Sequence, residues 1–217
     1  RELAVMLMVD CSASLDFGTQ SQTKRELVTE LGATLAMSAI KNNDRVGLTL
    51  FSEDIEKSFP PRQGSRHVLR LIREMLTHPC SGSGTDVGAA LEHLQRTAKR
   101  RTVVFLISDF QSKDYEKSLR VASRKHDLIP VVVTDAREME MPAVGLVPLR
   151  DNETGDLSWI DTSSRKHREW YAQMVQQREE QRDALFRRYR MEPLHLRTGE
   201  DLGEPLRSYF HQRENRR

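Results

Sequence analysis

Apolar runs of strand length alternate along the chain with stretches whose apolar residues recur at helical spacing. Residues 3–9 (LAVMLMV) are apolar without a break, the pattern of a strand covered on both faces. A polar segment, residues 10–22, follows. Thr23-Lys24-Arg25-Glu26 then has the Thr-x-x-Glu spacing of a capping box. Behind it Leu27, Leu31, Leu35, Ser38 and Ala39 repeat at the helical period, and Asn42-Asn43-Asp44 closes this helix. Residues 45–51 (RVGLTLF) predict a second strand. Residues 55–59 can pair with it as a short edge hairpin that Pro60-Pro61 ends. Val68, Leu69, Ile72, Met75 and Leu76 mark a second helix. A loop rich in Gly and Ser leads to a third, marked by Val87, Ala90, Leu91 and Leu94.

The second half continues the alternation. Residues 102–107 (TVVFLI) read as another doubly buried strand, ending in Ser108-Asp109. Tyr115, Leu119 and Ala122 mark a helix, and residues 128–133 the next strand, with Pro130 near its start or at an edge. Residues 144–149 and 157–160 flank Asp151-Asn152-Glu153-Thr154-Gly155, a hairpin loop. A long polar helix is predicted over 163–189, with Trp170, Met174, Leu185 and Tyr189 on one face and Trp170 and Met174 packed on the sheet. A short strand over 193–196 and a helix over 206–213 close the chain.

Strands alternating with helices predict an α/β fold: a doubly wound, mostly parallel sheet with helices on both faces. The 217 residues suit a single domain. Its core is expected over about residues 1–140, with the hairpin, long helix and C-terminal elements of 141–217 packed on it. In such sheets, sites form beyond the carboxyl ends of strands, where strand order reverses. Composition alters this picture little. Hydrophobic residues are 37% and charged residues 30%, which reads as a folded, soluble domain. A net charge of +2, from 34 basic and 32 acidic residues, gives no global pull toward nucleic acid or membrane. No apolar run approaches the roughly 18 residues of a membrane span.

Three loops gather oxygen ligands. Asp10-Cys11-Ser12-Ala13-Ser14 follows the first strand, Gly84-Thr85-Asp86 opens the third helix, and Asp109 follows the strand over 102–107. If those strands are neighbours, the loops converge. Two carboxylates and three hydroxyls with no histidine suit a hard cation such as Mg2+, Mn2+ or Ca2+. Ser12, Ser14 and Thr85 can ligate directly, while Asp10 and Asp109 hold coordinated waters. Neutral ligands leave the ion's charge poorly compensated, so a Glu or Asp from a partner protein would complete the site. The competing reading is loop capping by the same Ser and Asp side chains.

This constellation resembles the metal-ion-dependent adhesion site of von Willebrand factor A domains. Asp10, Ser12, Ser14, Thr85 and Asp109 match all five positions of that motif. With Asp16-Phe17-Gly18, Asp44-Arg45-Val46-Gly47, Ser83-Gly84-Thr85-Asp86, Leu106-Ile107-Ser108-Asp109-Phe110 and the 151–155 segment, the whole chain resembles bacterial domain-of-unknown-function family 58. The resemblance implies a von Willebrand factor A-like fold, a Mg2+ or Mn2+ ion at the five residues, and protein binding rather than catalysis. It also implies a MoxR-type AAA+ ATPase partner in protein assembly or maturation, because members are commonly encoded beside such ATPases. Members usually carry an N-terminal region, so the abrupt start at Arg1 predicts a fragment of a longer protein.

Asp86 is expected to favour the helix dipole at its helix start. Cys11 and Cys80 lie in two converging loops, where a regulatory disulfide is less favoured than two reduced thiols and a cytoplasmic setting. His78 and Cys80 lack the second pair that zinc needs. The 151–156 segment lacks the alternation of a calcium loop. Two alternative functions stay open: a metal-dependent hydrolase or phosphatase at the same site, and nucleic-acid binding through Arg187, Arg188 and Arg190 in the Arg-rich C-terminal helices. Against the first, none of the three loops contains a lysine to stabilise a phosphoryl group. Against the second, stacking aromatics are few.

Overall fold

A computed structural model describes residues 2–16, 18–19, 22–79, 82, 84–150 and 157–214. In chain order the elements are β1 (Ala4–Asp10), a 3-10 turn (Ala13–Asp16), β2 (Gly18–Thr19), β3 (Gln22–Thr23), α1 (Lys24–Lys41), β4 (Arg45–Phe51), β5 (Ile55–Arg62), α2 (Ser65–Thr77) and α3 (Val87–Thr97). There follow β6 (Val103–Ser108), α4 (Glu116–Lys125), β7 (Asp127–Thr134), α5 (Ala136–Met139), β8 (Leu146–Arg150), β9 (Leu157–Asp161), α6 (Arg165–Arg188), β10 (Leu194–Arg197) and α7 (Gly203–Glu214). Six strands form one sheet in the order β10-β7-β6-β1-β4-β5. All its neighbours run parallel except β4 and β5. Renumbered within the sheet this is the 3-2-1-4-5-6 order of a doubly wound fold. The expected doubly wound α/β architecture, a mostly parallel sheet flanked by helices, is therefore the one the chain adopts.

The uninterrupted apolar strands have a direct cause. Val5, Leu7 and Val9 of β1 enter one core cluster with α1, α2 and α7. Met6 and Met8 enter a second with α3, α4 and Phe186 of α6. Side chains alternate across a strand, and here both faces are covered, so both sets must be apolar. Phe105 and Ile107 against Val104 and Leu106 divide β6 the same way.

Local signals held where they were strongest. Thr23 caps α1 in a complete capping box with Glu26. Asp86 caps α3 by accepting from the Ala89 amide at 2.8 Å. Leu27, Leu31, Leu35 and Ala39 of α1 are buried, whereas Ser38 is exposed.

Three expectations need correction. Pro60-Pro61 do not end the edge strand, because β5 continues to Arg62. As the outermost strand it tolerates prolines, and its register with β4 shifts around Gly47. A side chain at Gly47 would stand 2.8 Å from the Phe59 carbonyl oxygen. On α2 the core face is Val68, Leu71 and Met75, while Leu69 and Leu76 are exposed. On α6 the buried residue is Phe186; Trp170 is 51% exposed and does not pack on the sheet. Cys80 and the turn expected over 151–156 lie outside the described residues. Among those described, no helix is long and apolar enough to cross a membrane.

His126, at the C-terminal cap of α4, is buried, and among the described residues neither ring nitrogen has a hydrogen-bond partner. Burial, with Lys125 and Arg101 nearby, pulls its pKa below the ordinary value. The unfolded chain therefore takes up a proton before the folded one does. The stabilising contribution is complete above about pH 6.5 and is lost as pH falls toward the lower folded value. Wild type is expected to lose melting temperature relative to His126→Phe between pH 7 and pH 5. Parallel melting curves across that range would show that the ring is hydrated or paired in solution.

Candidate metal centre

The site lies where strand order reverses. β1 pairs β4 on one side and β6 on the other, with Val9 opposite Ile107. One residue further along, Asp10 and Ser108 stand side by side, and the Ser108 hydroxyl donates to Asp10 Oδ2 at 2.6 Å. The loop after β1 turns back on itself, so the Ser12 amide donates to Asp10 Oδ1 at 2.9 Å. The segment before α3 is tied down by the Asp86 amide, which donates to the Ser52 carbonyl at 2.8 Å. This brings the Thr85 hydroxyl within 3.1 Å of Asp10 Oδ2 and 2.8 Å of Ser12 Oγ. Ser12 Oγ in turn lies 3.0 Å from Ser14 Oγ.

Four of the five residues singled out from the sequence thus form one connected cluster: Asp10, Ser12, Ser14 and Thr85. The fifth, Asp109, lies at the end of the adjacent strand and raises the pKa of Asp10 through space. It does not bond to the hydroxyls. Its Oδ1 accepts from the Gln111 amide at 3.1 Å and its Oδ2 from the Lys24 ammonium at 3.1 Å. Burial, then Asp109, lift the Asp10 carboxyl to about 6, against the hydrogen bonds from Ser108 and Ser12.

Lys24 corrects the sequence reading most. No lysine lies in the three loops, yet one reaches this region from the first turn of α1. Its side chain is 0% exposed and also lies 2.6 Å from Glu138 Oε1 of α5. Burial opposes its charge, but Asp109 and Glu138 outweigh burial and hold the ammonium above its ordinary pKa. Burial raises the Glu138 carboxyl despite Lys24. Lys24 was hidden because it sits inside a capping box, where a solvated side chain is the default, and Glu138 because it is far away in sequence. Ser108 carried a visible signal: it directly precedes Asp109 at the end of a buried strand.

The backbone is also unusual here. Phe110, next to Asp109, has φ of 57°, a left-handed conformation that is costly for a bulky residue. It is held by the Phe110 amide donating to Ser108 Oγ at 3.0 Å and by packing edge-on against Phe186 at 5.0 Å.

The donor set fits a hard cation. Every polar side chain in the cluster offers oxygen, and octahedral Mg2+ with bonds of roughly 2.1 Å has oxygen–oxygen edges of roughly 3 Å. The hydroxyl separations of 2.8 and 3.0 Å are of that size. Among the described residues no three His, Cys, Asp or Glu side chains gather around a metal-sized space, so any ion here relies on hydroxyls. Above the cluster opens a cleft of about 1040 Å3, lined by Ser12, Ser14, Thr85, Glu92, Lys113 and Glu138 among others. Cys11, within the first loop, is buried.

Comparison with known proteins gives the family and the fold. The family described as "Protein of unknown function DUF58" matches residues 1–181. The uncharacterized protein Rv1480 of Mycobacterium tuberculosis H37Rv is 34% identical over 158 residues, which cover 71% of this chain and 50% of that protein. Mb1516 of Mycobacterium bovis gives the same values. The chain thus spans about half the length of the curated relatives it matches. Among solved structures it is similar to the conserved hypothetical protein BatB from Bacteroides thetaiotaomicron, with a TM-score of 0.59 and 14% identity over 98% of both chains. It is also similar to an aerotolerance-related membrane protein from Bacteroides fragilis, with a TM-score of 0.61 and 16% identity over 99% of this chain and 100% of that one. At these identities the likeness is one of fold.

Proposed function

The chain belongs to DUF58, a family of proteins of unknown function, and from that premise we propose that it is a metal-dependent protein-binding module. Ser12, Ser14 and Thr85 hold a Mg2+ or Mn2+ ion, with Asp10 and Asp109 supporting it through coordinated water. The ion supplies a Lewis-acidic position that takes a Glu or Asp side chain from a partner. One observation carries this reading: three hydroxyls stand at octahedral-edge separations beside a buried carboxylate, at the floor of an open cleft. A MoxR-type AAA+ ATPase is the proposed partner, in keeping with the family resemblance, and the cytoplasm the proposed setting. Binding is preferred to hydrolysis because the cluster itself offers hydroxyls and carboxylates with its one paired ammonium, Lys24, sequestered between Asp109 and Glu138, although Lys113 lines the cleft above.

Metal at about 100 times its Kd adds about 2.7 kcal/mol. For a chain of this size that is a rise of roughly 5–10 °C in melting temperature. The rise is expected for wild type in Mg2+ or Mn2+ over EDTA and is expected to vanish in Ser12→Ala. Capture of a purified MoxR-type ATPase should require the metal and fail with the same variant. Identical melting of wild type in EDTA and in tens of millimolar metal would sink the metal reading.

A further inference from the structure

On the metal-site reading above, we infer that Lys24 is a tethered cation that competes with the divalent ion for the charge of Asp109 and so sets the site's metal affinity. Lys24 is the first residue of α1, and its side chain has no contact with water. An ammonium in that position requires carboxylates. It has two, Asp109 at 3.1 Å and Glu138 at 2.6 Å. Both oxygens of Asp109 are thereby engaged, Oδ2 by the ammonium and Oδ1 by the Gln111 amide. A metal ion approaching the hydroxyls meets one carboxylate, Asp10, whose charge is not matched by a cation, and a second, Asp109, whose charge is.

Two consequences follow from Coulomb's law in a partly buried site. The ion is held weakly, because the ammonium paired with Asp109 repels it. It also stays electropositive, because the cluster does not over-compensate it, and it can still attract a carboxylate from outside. Glu138 acts as the counterweight: by drawing the ammonium toward α5 it relieves part of the competition at Asp109. Lys24 and Glu138 are positioning residues in this scheme, and neither touches the ion.

The two side chains make opposite predictions for metal affinity and the same prediction for stability. Lys24→Met leaves Asp109 and Glu138 uncompensated, so Mn2+ should bind about tenfold or more tightly, the scale of one unit charge acting through a partly solvated site. Glu138→Gln gives the ammonium wholly to Asp109, so Mn2+ should bind about tenfold more weakly. Both variants break a buried ion pair and both should melt earlier, so a merely structural role would weaken binding in both. The measurement is Mn2+ titration of the whole chain by calorimetry and by electron paramagnetic resonance of the free ion, below the melting range, with circular dichroism confirming the fold. Opposite shifts support the inference. Shifts in the same direction, or none while wild type binds Mn2+, overturn it and leave the metal site standing. No binding in any of the three proteins overturns both. If Lys24→Met does not fold, unchanged or tighter binding by Glu138→Gln still refutes the inference.

Discussion

Lys24→Met is expected to lose about 3–5 kcal/mol of stability, the cost of removing one partner from a buried ion pair. The reason lies in what remains. Asp109 is buried and Glu138 half-buried, with the ammonium 3.1 and 2.6 Å away. With a methionine in its place, two carboxylates are left with no ammonium between them, and each must reach water or a bound cation to stay charged. Adding Glu138→Gln should recover part of the loss, because it removes one of the two uncompensated charges. Urea unfolding of the single and double variants measures both terms. A loss under about 1 kcal/mol, the range of exposed pairs, would mean that the triad is solvated.

Phe186→Ala should cost a similar amount, about 3–5 kcal/mol, as a large core side chain lost with little room for collapse. Helix α6 runs for 24 residues, and Phe186 is its one buried residue among those described. The remainder of the helix is exposed or half-buried, with Leu185 beside the ring on the same cluster, so this ring supplies much of the attachment. It packs edge-on against Phe110 at 5.0 Å, the residue whose left-handed backbone follows Asp109. Loss of the ring should therefore loosen both α6 and the loop that ends β6. Faster tryptic cleavage within α6, at its many arginines, is expected alongside earlier urea unfolding. Phe186→Leu should retain most of the stability. A variant that unfolds like wild type would show that α6 is held by its polar contacts instead, among them Tyr171, whose hydroxyl donates to the Glu138 carbonyl at 3.0 Å.

The two experiments bear on one layout. The Phe186 contact and the Lys24 contact reach Asp109 from different sides, one through the Phe110 backbone and one through its carboxylate. Both are long-range: Lys24 is 85 residues from Asp109. Neither leaves a local pattern, because a buried lysine in a capping box and a surface lysine have the same neighbours in sequence. For the same reason Trp170 was a poor guide to the packing of α6. Its size marked it as an anchor, but the helix turns that position outward, and the buried position is Phe186, near the helix end.

Legibility differed by kind of interaction. Strand β1 was fixed by its own residues, since a strand with six of its seven positions buried, over both faces, admits little but an apolar run. The capping box at Thr23 and the cap at Asp86 are local hydrogen bonds, complete within four residues, and the chain declares them directly. Asp10, Ser12, Ser14, Thr85 and Asp109 could be named because each sits where a strand ends or a helix begins, and that placement is a matter of period and punctuation. What the chain could not declare was that Asp109 would be bound to Lys24 instead of facing the hydroxyls, or that Ser108 would close the cluster from β6. Nor could it show that β5 would run through two prolines because no strand lies beyond it. Those outcomes depend on which strands become neighbours and which edges stay open, and they are settled by the burial of charge and apolar surface over the whole fold, a sum that no short stretch of sequence contains.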